Sequence, residues 1–296
     1  MSDLPDELAS IDPARPVLIA GPTASGKSAL ALALAVRQER PVVNADALQV
    51  HSAWRILTAR PSVADEGAAP HLLYGHIQWG MPYSVGTWLR EVRPLLVSRP
   101  APVVVGGTGL FLTALTEGLV EMPSTDETVR AEADRRMREA GVAAMGDELD
   151  ARTRLRIDLH TPARVQRAWE VLRQTGRGLA EWQDDTGPPS LPVEDAAAFV
   201  VDAPREDLRP RIAERFDAML KAGVLDEVRA VLPKWDERVP GAKAIGAGEL
   251  VSHLRGELAL AAARDRAIIA TRRYAKRQRT WFRSRMPSWP RIPMVS

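Results

Sequence analysis

Lys27 and Ser28 close the stretch Gly21-Pro22-Thr23-Ala24-Ser25-Gly26-Lys27-Ser28, which fills every fixed position of G-x-x-x-x-G-K-S. Gly21 and Gly26 permit the backbone angles that turn successive N–H groups inward as an anion cradle. Lys27 would reach an outer phosphate, and the Ser28 hydroxyl is placed to ligate Mg²⁺. Such a loop takes a diphosphate or polyphosphate; a chance match in a glycine-containing loop is the plain alternative. Asp46, within Asn44-Ala45-Asp46-Ala47-Leu48-Gln49, supplies a carboxylate that is either a general base or a group ordering metal-bound water or capping a helix. Thr108, within Gly106-Gly107-Thr108-Gly109, is either a second wall for the phosphates or part of a tight turn.

Several cationic clusters could meet a polyanion. Arg164-Val165-Gln166-Arg167 opens a helical stretch, with a solvated basic face as the default reading. Arg211 and Arg215 stack at i, i+4, where surface ion pairing is the default. Tyr274 to Arg283 interleaves cations with aromatics, which suits phosphates and unstacked bases and equally suits a basic helix whose aromatic face packs on a core. His51, His71 and His253 lack partners at metal spacing and read as structural.

The elements that must position these groups alternate. Val17-Leu18-Ile19-Ala20 is a strand before the loop, a helix continues through Ala29 to Val36, and Pro41 to Ala45 is a second strand. Tyr74-Gly75-His76-Ile77 reads as a third. Ser84 to Arg99 reads as a helix with an N-cap serine, kinked or ended early by Pro94. Pro102 to Val105 is a buried strand feeding a helix through Leu115. Alternation of this kind implies a parallel, doubly wound α/β sheet with ligands at the carboxyl ends of its strands. The phosphate loop, Asp46 and Thr108 are then expected to face one crevice. Residues 124–182, rich in Arg, Glu and Ala, read as amphipathic helices, with a loop over Asp184 to Ser190. Ala198 to Val201 is one more strand, with helices expected from there to the end. The expected division is residues 1–120 as the first part of the core, 121–192 as a helical insertion, and 193–296 as the return to the core with basic C-terminal helices.

The 296 residues are 45% hydrophobic and 26% charged, an ordinary globular composition. With no cysteine, disulfides, thiolate metal sites and cysteine nucleophiles are excluded. Met1 to Glu7 is acidic, without the basic flank or apolar stretch of a targeting signal, and no apolar run approaches a membrane span. A cytoplasmic protein is expected. The net charge is only +2, yet from Arg264 to Ser296 ten Arg or Lys stand against one acid, Asp265. That asymmetry points to a polyanionic partner.

GPTASGKS, NADALQV, VVVGGTGLF, RVQRAWEV, ERFDAML, KAIGAGEL and TRRYAKRQRTWFR occur in the order seen in tRNA dimethylallyltransferases, and the resemblance runs from about Val17 to Phe282. It implies a phosphate-loop α/β core with a helical insertion. The implied reaction moves a dimethylallyl group from dimethylallyl diphosphate to the exocyclic amine of the adenosine 3′ of the anticodon in tRNA. Carried over by motif, Gly21 to Ser28 would hold the donor diphosphate, with Mg²⁺ at Ser28. Asp46 would be the general base, and Asp46, Ala47, Leu48 and Gln49 would meet the target adenosine. Thr108 would touch donor and tRNA, and Arg215 would belong to the active site with Lys27. The resemblance further implies tRNA contacts at Arg130, at Ala163, Arg164, Val165, Gln166 and Arg167, and at Lys243, Ala244, Ile245, Gly246, Ala247 and Gly248. The partners are then the tRNA anticodon stem-loop and dimethylallyl diphosphate, met by a monomer that enters no membrane. The chain departs from the family pattern at Ala47, His51, Thr161 and Ala247. Alternatives are transfer to a free adenine nucleotide, a phosphate-loop small-molecule kinase, and a non-catalytic RNA-binding relative.

Overall fold

A computed structural model describes residues 4–294. Six strands form one sheet: β1 (Val17–Ala20), β2 (Val42–Asn44), β3 (His71–Leu72), β4 (Val103–Gly106), β5 (Ala197–Asp202) and β6 (Arg291–Pro293). Their order is β3-β2-β4-β1-β5-β6, and every pairing is parallel. β1, β2 and β4 are buried at each residue, as parallel strands covered on both faces must be. The helix Lys27–Gln38 packs Leu30, Ala31 and Leu34 into the same core as Val17, Ile19 and Val103.

The order fixes where ligands can bind. β1 lies between β4 and β5, with β2 beyond β4, so the loops after β1, β2 and β4 emerge side by side at the carboxyl edge. A second apolar core gathers Trp54, Phe216, Ala247 and Ala267, joining the helices Arg205–Lys221, Ala247–Leu254 and Leu260–Arg285.

Two expectations are corrected, for the third strand and the chain's last element, while the early end expected of the helix at Pro94 is met. The third strand lies at His71–Leu72 rather than Tyr74 to Ile77, because Leu73 and Gly75 take left-handed backbones (φ 62° and 57°) and Ile77 forms only one bridge, to His51. The helix after Ser84 runs Val85–Val92 and gives way to a single 3₁₀ turn at Arg93–Leu95, where Pro94 lacks an N–H to continue the ladder. The chain does not end in helix: Arg291–Pro293 adds an edge strand to β5.

The chain divides into two compact units, Met1–Thr116 with Ser190–Ser296, and Glu117–Pro189. The second unit holds the helices Glu127–Asp147, Ala151–Arg156, Pro162–Thr175 and Leu179–Asp184 around Met145, Val165, Ala168 and Trp169. No helix of the described residues is long and apolar enough to cross a membrane.

Candidate active site

The phosphate loop turns at Gly26 with φ 85°, a conformation that costs glycine nothing, and its helix begins at Lys27. Lys27 is buried, and its Nζ donates to the Pro22 carbonyl at 3.2 Å. Loss of hydration lowers its pKa to about 8; Asp46 opposes that shift and Arg215 adds to it. The Ser25 hydroxyl is buried without a partner, whereas Ser28 is exposed at the loop's edge.

Asp46 is held by its own segment. The Asn44 side chain donates to the Asp46 carbonyl at 3.0 Å and accepts from the Asp46 N–H at 2.9 Å. One Asp46 carboxylate oxygen accepts from the Leu48 N–H at 2.9 Å. Thr108 accepts from the Ala47 N–H at 2.9 Å, so the loops after β2 and β4 are joined beside the carboxylate. Gln49 donates both hydrogens of its amide, to the Thr58 and Ala59 carbonyls, and its oxygen remains available as an acceptor.

Arg215 leaves the surface role that i, i+4 spacing with Arg211 suggests. It is half-buried and lines the same crevice as Lys27, Ser28, Asp46, Gln49 and Tyr274. Burial lowers its pKa and Asp46 opposes the shift, so the guanidinium stands in the field of that carboxylate. The enclosed space is about 70 Å³. Tyr274 is legible in the sequence only as part of an aromatic and basic helix. Burial first, then the Asp46 charge, raises its pKa.

The crevice therefore assembles Lys27, Ser28, Asp46, Leu48, Gln49 and Arg215. Of the segment Lys243 to Gly248, Ile245 reaches it, while Ala244 and Ala247 are buried in the apolar core, where their side chains are closed to an RNA. Val165 is likewise core in the unit Glu117–Pro189, whereas Ala163 and Arg164 are exposed there. Arg167 and exposed Arg130 lie 3.7 Å and 4.0 Å from the buried Glu170, and Gln166 donates to Asp134 at 2.7 Å. A separate, larger cleft of about 640 Å³ runs along the other side of the helix Leu260–Arg285, lined by Arg205, Arg209, Arg272, Lys276, Arg279 and Arg283. Among the described residues, the histidines and acids form no cluster fit to hold a metal ion.

A family model described as IPP transferase matches residues 49–285, and one described as Isopentenyl transferase matches residues 15–67. A tRNA dimethylallyltransferase of Dinoroseobacter shibae is 61% identical over 293 residues, covering 98% of each chain. The crystal structure of a tRNA isopentenylpyrophosphate transferase from Bacillus halodurans superposes with a TM-score of 0.66 at 27% identity, over 95% of this chain and 90% of that one. A eukaryotic dimethylallyltransferase acting on tRNA has a TM-score of 0.77 at 22% identity, over 95% and 74% of the two chains, a likeness of fold. A family model that spans most of the sequence and a relative that matches it end to end agree: this chain belongs to the IPP transferase family.

Proposed function

We propose that this protein transfers a dimethylallyl group from dimethylallyl diphosphate to the exocyclic amine of the adenosine 3′ of the anticodon in tRNA, releasing diphosphate. The observation that carries the reading is the convergence of Lys27, Asp46 and Arg215 on one crevice beside a phosphate loop. Two cations and a carboxylate are what an allylic transfer to a weak nitrogen nucleophile needs.

An exocyclic adenine amine is a poor nucleophile because its lone pair is delocalised into the ring. Asp46, held by Asn44 and Leu48, accepts the amine proton as the C–N bond forms. The Gln49 amide oxygen, its N–H groups already spent, is suited to accept from the same amine. Negative charge grows on the departing diphosphate. Lys27, Arg215 and the loop N–H groups neutralise it where it develops, in a site shielded from water. The reacting allylic carbon tolerates partial positive charge, so positioning and a stabilised leaving group carry most of the barrier reduction.

The loop also suits Mg²⁺. Ser28 offers an exposed hydroxyl beside Lys27, and Ser25 has a buried hydroxyl with no protein partner, oxygen donors of the kind a hard cation takes together with phosphate oxygens. When bound, the ion would supply further charge neutralisation at the diphosphate.

The target base must leave its stack, at a cost of a few kcal/mol. Grip on backbone phosphates offsets that cost, and the arginine-lined cleft along Leu260–Arg285 supports such a grip. Exposed Ala163, Arg164 and Arg130, together with Lys243 and Gly248, are proposed as further tRNA contacts. A monomer is proposed as the acting form, and tRNA as acceptor supports a cytoplasmic site of action. The test is purified protein with labelled dimethylallyl diphosphate and unmodified tRNA, scored for label in RNA. Label in tRNA and none in free AMP supports the reading; equal use of free AMP replaces it with nucleotide prenylation.

A further inference from the structure

Gln278 is 4% exposed, and neither substrate-facing role uses it. Its Oε1 accepts from the Thr23 N–H at 2.9 Å, and its Nε2 donates to the Gly107 carbonyl at 2.8 Å. The orientation is self-determined, since an N–H requires the oxygen and a carbonyl requires the nitrogen. One amide on the C-terminal helix thus ties the phosphate loop to the turn that carries Thr108.

The surroundings are built for this contact. A Cβ on Gly107 would lie 2.2 Å from Gln278 Nε2 and 3.1 Å from the Asp46 carboxylate, so only glycine lets the amide approach. Three residues on, Trp281 packs over Gly109 so closely that a Cβ there would lie 2.1 Å from its ring. One turn earlier, the Tyr274 hydroxyl meets Thr108 and Gln278. β1 and β4 pair as far as Ala20 and Gly106, where the ladder stops. Beyond it, among the described residues, no backbone hydrogen bond joins residues 21–28 to residues 107–109. Past the end of the sheet, the Gln278 amide is the polar tie between the two loops.

We propose that Gln278 is a positioning residue for the transfer: it fixes the register between the loop that holds the donor diphosphate and the turn that abuts Asp46. The inference rests on the functional reading above. Donor and acceptor are held by different loops, and the reacting atoms meet only if those loops keep their spacing. A misplacement of 1 Å at a reacting centre costs on the order of 10²-fold in rate. Binding of either substrate alone does not require the two loops to be in register and tolerates the same slip.

Gln278→Met keeps the length and volume of the side chain and removes both hydrogen bonds. The expected result is a single-turnover rate about 10–100-fold lower, with the dissociation constants for dimethylallyl diphosphate and for tRNA changed by less than about threefold. Thermal melting checks that the variant is folded. Gln278→Asn is the second variant: it retains the amide and is one methylene too short to span both partners, so it should show the same split between rate and binding. A folded variant with parental rate overturns the proposal. So does a rate loss matched by equal loss of donor affinity, which would make Gln278 a support of the phosphate loop alone. If both variants unfold, the residue is a packing element and the proposal fails. If the parent protein transfers no label to tRNA, the functional reading itself falls, and Gln278 loses its role with it.

Discussion

In the unit Glu117–Pro189, arginines come with carboxylates. Arg152 lies 2.6 Å from Asp184, Arg154 2.9 Å from Asp147, Arg173 3.4 Å from Glu132, and Arg177 reaches both Glu181 and Asp185. In the crevice of the other unit, Lys27 and Arg215 share one carboxylate, Asp46, without an ion pair at contact distance. The exposed pairs retain most of their hydration and gain little from each other. The crevice cations have lost hydration and have no full replacement, which is why burial is the leading cause of both lowered pKa values. A dense count of arginine therefore says little about where charge is available. The crevice keeps uncompensated positive charge for an anion that arrives with the substrate; the other unit spends much of its own charge internally.

The largest effect expected from breaking this contrast lies at its centre. Asp46→Asn keeps the shape and hydrogen bonding but cannot take a proton, and single-turnover transfer should fall about 10²–10⁴-fold. Donor binding should stay near parental, because Lys27 and Arg215 remain. Retention of near-parental rate would remove Asp46 from the role of base.

Lys27→Ala comes next. A hydrogen bond to a charged group contributes about 1.5–3 kcal/mol, so donor affinity should drop about 10–100-fold. The lowered pKa adds a sharper test. The folded protein releases this proton near pH 8, and an unperturbed lysine holds it to 10.5. From this group alone, stability rises with pH between those values, since the unfolded chain binds more protons there. A bound diphosphate restores the charge, so donor binding at pH 8.5 should take up a proton and weaken as pH climbs further. Calorimetry in two buffers of different ionisation enthalpy measures that uptake, and it should vanish in Lys27→Ala. Binding without proton uptake would mean that Lys27 does not face the diphosphate.

What the sequence reveals of this site follows chain locality. Gly21 to Ser28 is legible because strand, loop and helix are contiguous and the chemistry lies in one stretch. Asp46 and Thr108 are legible because each follows a strand, and a parallel sheet sends such residues to one edge. Arg215 and Gln278 are not legible from residue types and spacing. Helix periodicity shows which residues share a face, and only tertiary packing shows what that face meets. Periodicity leaves Arg215 beside Arg211, and only the packing of the helix Arg205–Lys221 turns it toward Asp46. The partners of Gln278 are 255 and 171 residues away. The misplaced third strand has a local cause: a left-handed Leu73 directly precedes the stretch Tyr74 to Ile77, and a left-handed Gly75 lies within it.

A smaller effect should separate the basic cleft from the crevice. Arg272, Lys276, Arg279 and Arg283 line that cleft without ion pairs among the described residues, so their charge is free for phosphates. Changing the four to Gln should make the log–log salt slope of tRNA affinity shallower by about 0.7–0.9 for each RNA phosphate that the variant leaves unneutralised. Donor affinity should not move. An unchanged slope in a folded variant would mean that RNA grips elsewhere.

The smallest effect is expected where arginine is already answered. Arg173 is 59% exposed, and its partner Glu132 lies 3.4 Å away. An exposed pair of this kind contributes about 0–1 kcal/mol, so Arg173→Gln should shift the melting temperature by no more than a few degrees. The salt slope for tRNA should stay at the parental value, because a cation paired within the protein releases no condensed counterion when RNA arrives. Urea unfolding and a salt series on the same variant measure both. A slope shallower by the share of one whole phosphate would show that RNA draws Arg173 away from Glu132. The contrast between the two regions would then be one of degree: charge held in reserve by an internal partner rather than charge already spent.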